Sequence, residues 1–170
     1  MPYPEQLVTP MRAELTRLGV EELRNAEDVD GFFEAAAEGT SVLVINSVCG
    51  CAAANARPAV SMVRQLPVQP DRWGTVFAGQ DLEATAQARL HLAGIPPSSP
   101  FMALFQDGDP VFVLERRHIE GRSAPAIATD LAQAIQKYCS GDAPSNGGVE
   151  SPEVEQKAPE GLPSTFRSIL

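Results

Sequence analysis

The feature that most restricts the fold of this chain is an abrupt change of pattern at Asn46. Ser41–Asn46 (SVLVIN) is a continuous apolar run rich in β-branched residues, as expected of a strand buried on both faces of a largely parallel sheet. It is followed at once by Ser47-Val48-Cys49-Gly50-Cys51 and then by Ala52–Leu66, an alanine-rich stretch that reads as a helix. Pro58, the one proline inside that stretch, is expected to kink it. A buried strand passing directly into a helix implies an α/β layer architecture, with the strand central and the helix packed on one face.

The rest of the chain fits around that unit. Leu7, Met11, Leu15 and Leu18 recur at helical spacing before Gly19, and Ala26–Glu38 places Val29, Phe32, Phe33 and Ala36 on one helical face. Gly74–Ala78 reads as a second strand. Leu82–Ala93 reads as a helix with Leu82, Ala86, Leu90 and Ala93 inward, stopped by Gly94 and Pro96. Phe101–Phe105 and Val111–Leu114 flank Asp107-Gly108, a hairpin turn pair, and so form two antiparallel strands. Ser123 caps a last helix with Ala124, Ile127, Leu131, Ile135 and Tyr138 inward. A strand–helix–strand unit crosses over to make a parallel pair, whereas a hairpin reverses direction. The order α α β α β α β β α is therefore that of a thioredoxin-like fold, a central mixed sheet flanked by helices, with an extra helix pair in front.

The 170 residues suffice for one domain, assigned to 1–139. From Ser140 onward Gly, Pro and acidic residues dominate without periodicity, so 140–170 reads as a flexible acidic tail, more apolar at its end (Leu162, Phe166, Ile169, Leu170). Thirteen Lys and Arg against twenty-two Asp and Glu give a net charge of −9, which argues against nucleic acid and against an anionic membrane surface as partners. No apolar run approaches membrane-spanning length, and the first residues lack the apolar core of a secretory signal. Three cysteines are too few for a disulfide-stapled secreted scaffold, so the expected compartment is the cytoplasm.

The chemistry concentrates at Cys49-Gly50-Cys51. A helix start offers free N–H groups and the positive end of the helix dipole, which lower the pKa of a thiol placed there. No charged residue lies within several positions of Cys49 to oppose ionisation. A disulfide needs Cα atoms about 4.4–6.8 Å apart, and residues i and i+2 of a turn can meet that distance. On a helix their side chains do not face each other, so an internal Cys49–Cys51 disulfide is expected to be strained, easily reduced, and suited to exchange with an outside partner. Zinc fits poorly, since it takes four N/S ligands at wider cysteine spacing and neither His91 nor His118 lies near the pair. Dinucleotide and P-loop glycine fingerprints are absent, so reducing equivalents are expected from outside the chain.

These residues resemble the bacilliredoxins, thioredoxin-like proteins with a CGC active site and disulfide isomerase activity. The resemblance runs over about Tyr3–Tyr138, through Asn46–Ala53, Ala56-Arg57-Pro58-Ala59, Phe77–Asp81, Pro96–Pro100 and Glu115–Arg122. It implies removal of bacillithiol, a low-molecular-weight thiol, from mixed disulfides on client proteins. Cys49 would then be the attacking thiolate and Cys51 the residue that resolves or tunes the adduct, with Gly50 between them. Bacillithiol would be a substrate rather than a bound cofactor, and clients bearing bacillithiol or disulfides would be the partners. The resemblance also implies a cis-proline facing the cysteines, for which Pro100, just before Phe101–Phe105, is the candidate.

Other residues carry weaker expectations. Asn46 and Ser47 are supporting residues that hydrogen-bond to the turn, and Ser47 is a candidate helix cap. Arg57 either faces a substrate carboxylate or pairs with a surface acid. His118, among Arg116, Arg117 and Arg122, sits in what reads as a solvated basic loop, with contact to an anionic thiol as the alternative. Cys139 is expected to be partly buried and inert, His91 has no assigned role, and Trp73 packs at the start of the second strand. Two other readings of the CGC site are a protein disulfide isomerase or weak reductase, and a non-catalytic redox-sensing adaptor. Turnover separates an exchanger from a sensor, which reacts once.

Overall fold

A computed structural model gives the structure of the chain and describes residues 1–141 and 147–154. Its centre is a five-stranded sheet of β1 (Glu21–Glu22), β2 (Thr40–Asn46), β3 (Arg72–Phe77), β4 (Phe101–Gln106) and β5 (Asp109–Leu114), in the order β1-β3-β2-β4-β5. β2 runs parallel to β3 and antiparallel to β4, with Val44 opposite Thr75 on one side and Met102 on the other. All seven residues of β2 are buried, as its unbroken apolar run requires.

Alternation along β2 sends Val42 and Val44 to one face and Leu43 and Ile45 to the other. The first face packs against α1 (Glu5–Thr16), α3 (Arg57–Val63) and α6 (Ala124–Cys139) through Leu15, Val60, Val63, Ile127 and Leu131. The second packs against α2 (Ala26–Ala35) and α4 (Leu82–Leu90) through Phe32, Phe33, Ala84 and Ala88. Gly74 makes the second packing possible, because a Cβ there would sit 2.8 Å from the Phe32 ring. This is the thioredoxin-like fold.

The structure departs from the sequence expectations in several places. The two leading helices are present, with a short strand between them. Glu21–Glu22, too short and too acidic to register as a strand, pairs in parallel with Gly74 and Thr75 and brings α2 into the core. In α1 the inward face is Val8, Arg12 and Leu15, and Leu7 is half exposed. Arg12 is buried because Glu5, Glu22 and Asp81 surround it, with Asp81 at 2.6 Å, and charge in that position hides the inward stripe from a hydrophobic count. In α4 the inward residues are Ala84, Thr85 and Ala88, whereas Leu82 and Leu90 are 61% and 68% exposed. Small residues let this helix lie close to Phe32 and Phe33, and at that distance the leucines would not fit.

The helix is irregular just ahead of Pro58. The backbone widens into a π-helical segment, Ala52–Ala56, where the Arg57 N–H reaches back to the Ala52 carbonyl. Pro58 then falls in the first turn of α3, where its missing N–H costs nothing. Within the tail Glu150 meets the free edge of β5: its N–H donates to the Val111 carbonyl (2.9 Å), and its carbonyl accepts the Val113 N–H (2.8 Å). The Glu150 carboxylate accepts from the Tyr138 hydroxyl at 2.8 Å and pairs with Lys137. These contacts give one residue of an otherwise acidic, Gly- and Pro-rich segment backbone and side-chain partners in the domain. The remainder of the tail, with Leu162, Phe166, Ile169 and Leu170, lies outside the described residues.

Candidate active site

β2 delivers Asn46 and Ser47 to the C-terminal end of the sheet, and the chain turns helical at Gly50. The Ala52 and Ala53 N–H groups donate to the Cys49 carbonyl at 3.1 and 3.2 Å. The Ala52 N–H also reaches the Cys49 sulfur at 3.4 Å. Cys49 therefore stands where a helix-capping side chain stands, with sulfur as the acceptor. Because it lies ahead of the helix, its side chain is free to meet that of Cys51: the two free sulfurs are 2.6 Å apart. The expectation that i and i+2 side chains diverge applies inside a helix, and this pair straddles its start.

Ser47 does not cap the helix. Its buried hydroxyl donates to the Cys49 sulfur at 3.1 Å. Burial of Cys49 works against its ionisation, but hydrogen bonds from Cys51, Ser47 and the Ala52 N–H, with the positive charge of Arg116, hold the Cys49 thiol below the ordinary thiol range. Burial, donation to Cys49 and the charge on Cys49 push the Cys51 thiol up. The two thiols are thus driven apart in acidity, with Cys49 the more acidic of the pair. A Cβ on Gly50 would meet nothing within 4 Å, so sterics do not demand glycine between them.

Arg57 does not face the solvent side of the site. It is 3% exposed and lies beneath the loop, donating to Asn46 Oδ1 (3.1 Å), the Ser47 carbonyl (3.0 Å) and Glu14 Oε2 (2.7 Å). Asn46, also buried, accepts the Ser47 N–H at 2.9 Å and donates to the Met11 carbonyl at 3.3 Å. These contacts tie the cysteine loop to α1. The Ser99–Pro100 peptide bond is cis, and Ser99 shares a pocket with Cys49.

The basic stretch after β5 is not a solvated loop. Glu115–His118 forms a capping box on the short helix α5 (Arg116–Ile119), in which the Glu115 N–H donates to His118 Nδ1 at 2.9 Å. His118 is 1% exposed and cannot reach a substrate. Arg117 pairs with Glu115, and Arg122 with Asp130. Arg116 alone of the four comes to the cysteines, on the wall of the Cys49 pocket. Sequence order gives no sign of this, nor of Glu14, because the sheet makes both approaches. Cys139 is half buried and packs against the core, and burial pushes its thiol up. His91 stacks on Phe33 with ring centroids 3.7 Å apart. Trp73, at the start of β3, is buried, and its indole N–H donates to Gln69 at 3.1 Å.

Comparisons with known proteins converge on one group. Residues 3–139 match the family described as Disulphide isomerase. Two bacilliredoxins of Salinibacter ruber are 59% and 55% identical, each aligned over 99% of both chains. The chain belongs to the bacilliredoxin family. A bacilliredoxin of Cytophaga hutchinsonii is 54% identical over 129 residues, 76% of this chain and 94% of its own. Solved thioredoxins of Malassezia sympodialis and Schistosoma mansoni are similar at TM-scores of 0.47 and 0.48, each 16% identical, covering 71% and 70% of this chain and 90% and 97% of theirs. Membership of the bacilliredoxin family supports a thiol–disulfide redox function for this chain. Among the described residues no helix is long and apolar enough to cross a membrane.

Proposed function

We propose that this bacilliredoxin family member removes bacillithiol from mixed disulfides on client proteins in the cytoplasm, through Cys49 and Cys51. The observation that carries the reading is the acidic Cys49 sulfur at the head of a helix, 2.6 Å from a second free sulfur. The Cys49 thiolate attacks the bacillithiol sulfur of the mixed disulfide. A new Cys49–bacillithiol disulfide forms, and the client sulfur leaves as a thiolate that takes a proton from water. Cys51, once deprotonated, then attacks the Cys49 sulfur and releases bacillithiol, leaving a Cys49–Cys51 disulfide for an external thiol to reduce. Alternatively, a second bacillithiol attacks the adduct, freeing Cys49 and leaving oxidised bacillithiol. No bound cofactor takes part; bacillithiol is the substrate.

Intact-mass spectrometry after mixing the reduced protein with a bacillithiolated client tests this. Cys51→Ser is expected to accumulate one bacillithiol adduct while freeing the client, and Cys49→Ser to accumulate none. Absence of an adduct on every variant would sink the reading. The description of the matching family favours a second reading, isomerisation of ordinary protein disulfides. It predicts that a scrambled protein substrate regains native pairing at catalytic amounts of the chain, with bacillithiol making no difference. A redox-sensing adaptor would free no more than one client thiol per molecule.

A further inference from the structure

Beneath the cysteine loop, the buried side chain of Arg57 joins three separate parts of the chain. Its Nε donates to Glu14 of α1 at 2.7 Å, and its Nη1 donates to Asn46 Oδ1 at 3.1 Å and to the Ser47 carbonyl at 3.0 Å. A guanidinium is a planar fork with donors at fixed angles, so these acceptors are held in one geometry. They also offset the cost of burying its charge, while Glu14 itself stays half exposed. Ser47 is gripped at both backbone groups: Asn46 Oδ1 accepts its N–H at 2.9 Å, and Arg57 donates to its carbonyl. Asn46 is tied to α1 in turn, through the Met11 carbonyl at 3.3 Å. With the backbone fixed, the Ser47 hydroxyl is carried to 3.1 Å from the Cys49 sulfur. The guanidinium's bonds end on Glu14, Asn46 and Ser47, and the positive charge that favours ionisation of Cys49 is that of Arg116. The route from Arg57 to the reacting sulfur therefore runs through Ser47.

We propose that Arg57, seated by Glu14, is a positioning residue for thiol exchange: it holds the Ser47 backbone so that the Ser47 hydroxyl stays on the Cys49 sulfur. The inference rests on Cys49 being the nucleophile of the proposed function. A hydrogen bond weakens steeply as its distance and angle depart from the optimum, so a loop free to shift loses this bond while the domain stays folded. The other groups that face Cys49 are Cys51, the Ala52 N–H and Arg116, the last paired with Glu120. None of them bonds to the Arg57 guanidinium, so their contributions persist when the fork is removed. Lysine separates position from charge. It keeps the positive charge, but a single ammonium cannot serve three acceptors in the geometry of the fork.

The pH profile of Cys49 alkylation by iodoacetamide tests this. The thiolate displaces iodide and forms a thioether, which tandem mass mapping assigns to Cys49 rather than Cys51. Arg57→Lys is expected to raise the midpoint by about one pH unit at most, the shift expected of Ser47→Ala, because Arg57 acts through that hydroxyl. Glu14→Ala, at a half-exposed position, is expected to raise it by about half a unit. In a Ser47→Ala chain neither substitution is expected to move the midpoint further. Unmoved midpoints in the single variants overturn the inference, even where thermal stability falls, because Arg57 would then serve the fold alone. Shifts that add to that of Ser47→Ala overturn it as well, since Arg57 would then act by another route. Should Arg57→Lys fail to fold, Glu14→Ala, alone and combined with Ser47→Ala, decides by the same outcomes. An unmoved midpoint leaves the bacillithiol reading standing. A wild-type Cys49 alkylated no faster than Cys51 instead overturns the proposed function and this inference with it.

Discussion

At the scale of single residues, the donors around the Cys49 sulfur lower the pKa of its thiol against the effect of burial. Ser47 matters here because its hydroxyl is buried and has the Cys49 sulfur within 3.1 Å. A hydrogen bond to a charged group is worth about 1.5–3 kcal/mol, and one pH unit corresponds to about 1.4 kcal/mol. Ser47→Ala is therefore expected to move the pH midpoint of Cys49 alkylation upward by about one unit, with the plateau rate at high pH little changed. A midpoint that stays put would remove Ser47 from the set of stabilising donors. The place of Cys49-Gly50-Cys51 at a strand–helix junction was legible in the sequence, because the apolar run of β2 ends just before it and an alanine-rich helix begins just after it. The direction of Arg57 was not legible: a guanidinium eight residues from Cys49 reads equally as substrate contact or surface pair, and only packing shows it beneath the loop on Asn46, Ser47 and Glu14.

At the scale of elements, α5 is short and stands on its capping box. His118 serves there as an acceptor, which only its neutral form can do. Burial, reinforced by Arg117, holds the His118 pKa below the ordinary value of 6.5. The unfolded chain then binds a proton at higher pH than the folded one, so the His118 contribution is full above the ordinary histidine range and is lost as pH falls below it. Wild-type protein is expected to lose stability as pH falls below about 6.5, and His118→Gln, which keeps an acceptor without titrating, to lose less over the same range. Equal slopes for the two chains in denaturant titrations would contradict this. The helix periods of α1 and α4 were read from the sequence but their inward faces were not. A buried charge at Arg12 and close packing through Ala84 and Ala88 both defeat the rule that large apolar residues point inward.

At the scale of the whole molecule, β5 is an outer strand of the sheet, and Glu150 covers part of its edge. Open edges invite pairing with other chains. Ending the chain at Gly141 is expected to speed hydrogen exchange at the Val113 amide, which loses the Glu150 carbonyl, while the Val44 amide in the central strand β2 stays protected. Unchanged protection at Val113 would show that Glu150 contributes nothing to the edge.

The sequence by itself determined the central strand, the helix that follows it, the hairpin, the last helix and the position of the cysteine pair. Each of these is written in local periodicity and turn chemistry, which a single stretch of chain carries alone. Tertiary structure decided what depends on distant partners: a two-residue strand that exists only by pairing with Gly74 and Thr75, a π-helical widening ahead of Pro58, and a tail residue hooked to Tyr138. It also decided the company Cys49 keeps. Arg116 and Tyr3 lie 67 and 46 positions from Cys49 in the chain. They reach the same pocket because the hairpin returns the end of β5 to the sheet's active edge and Gln80 pins the N-terminal segment there.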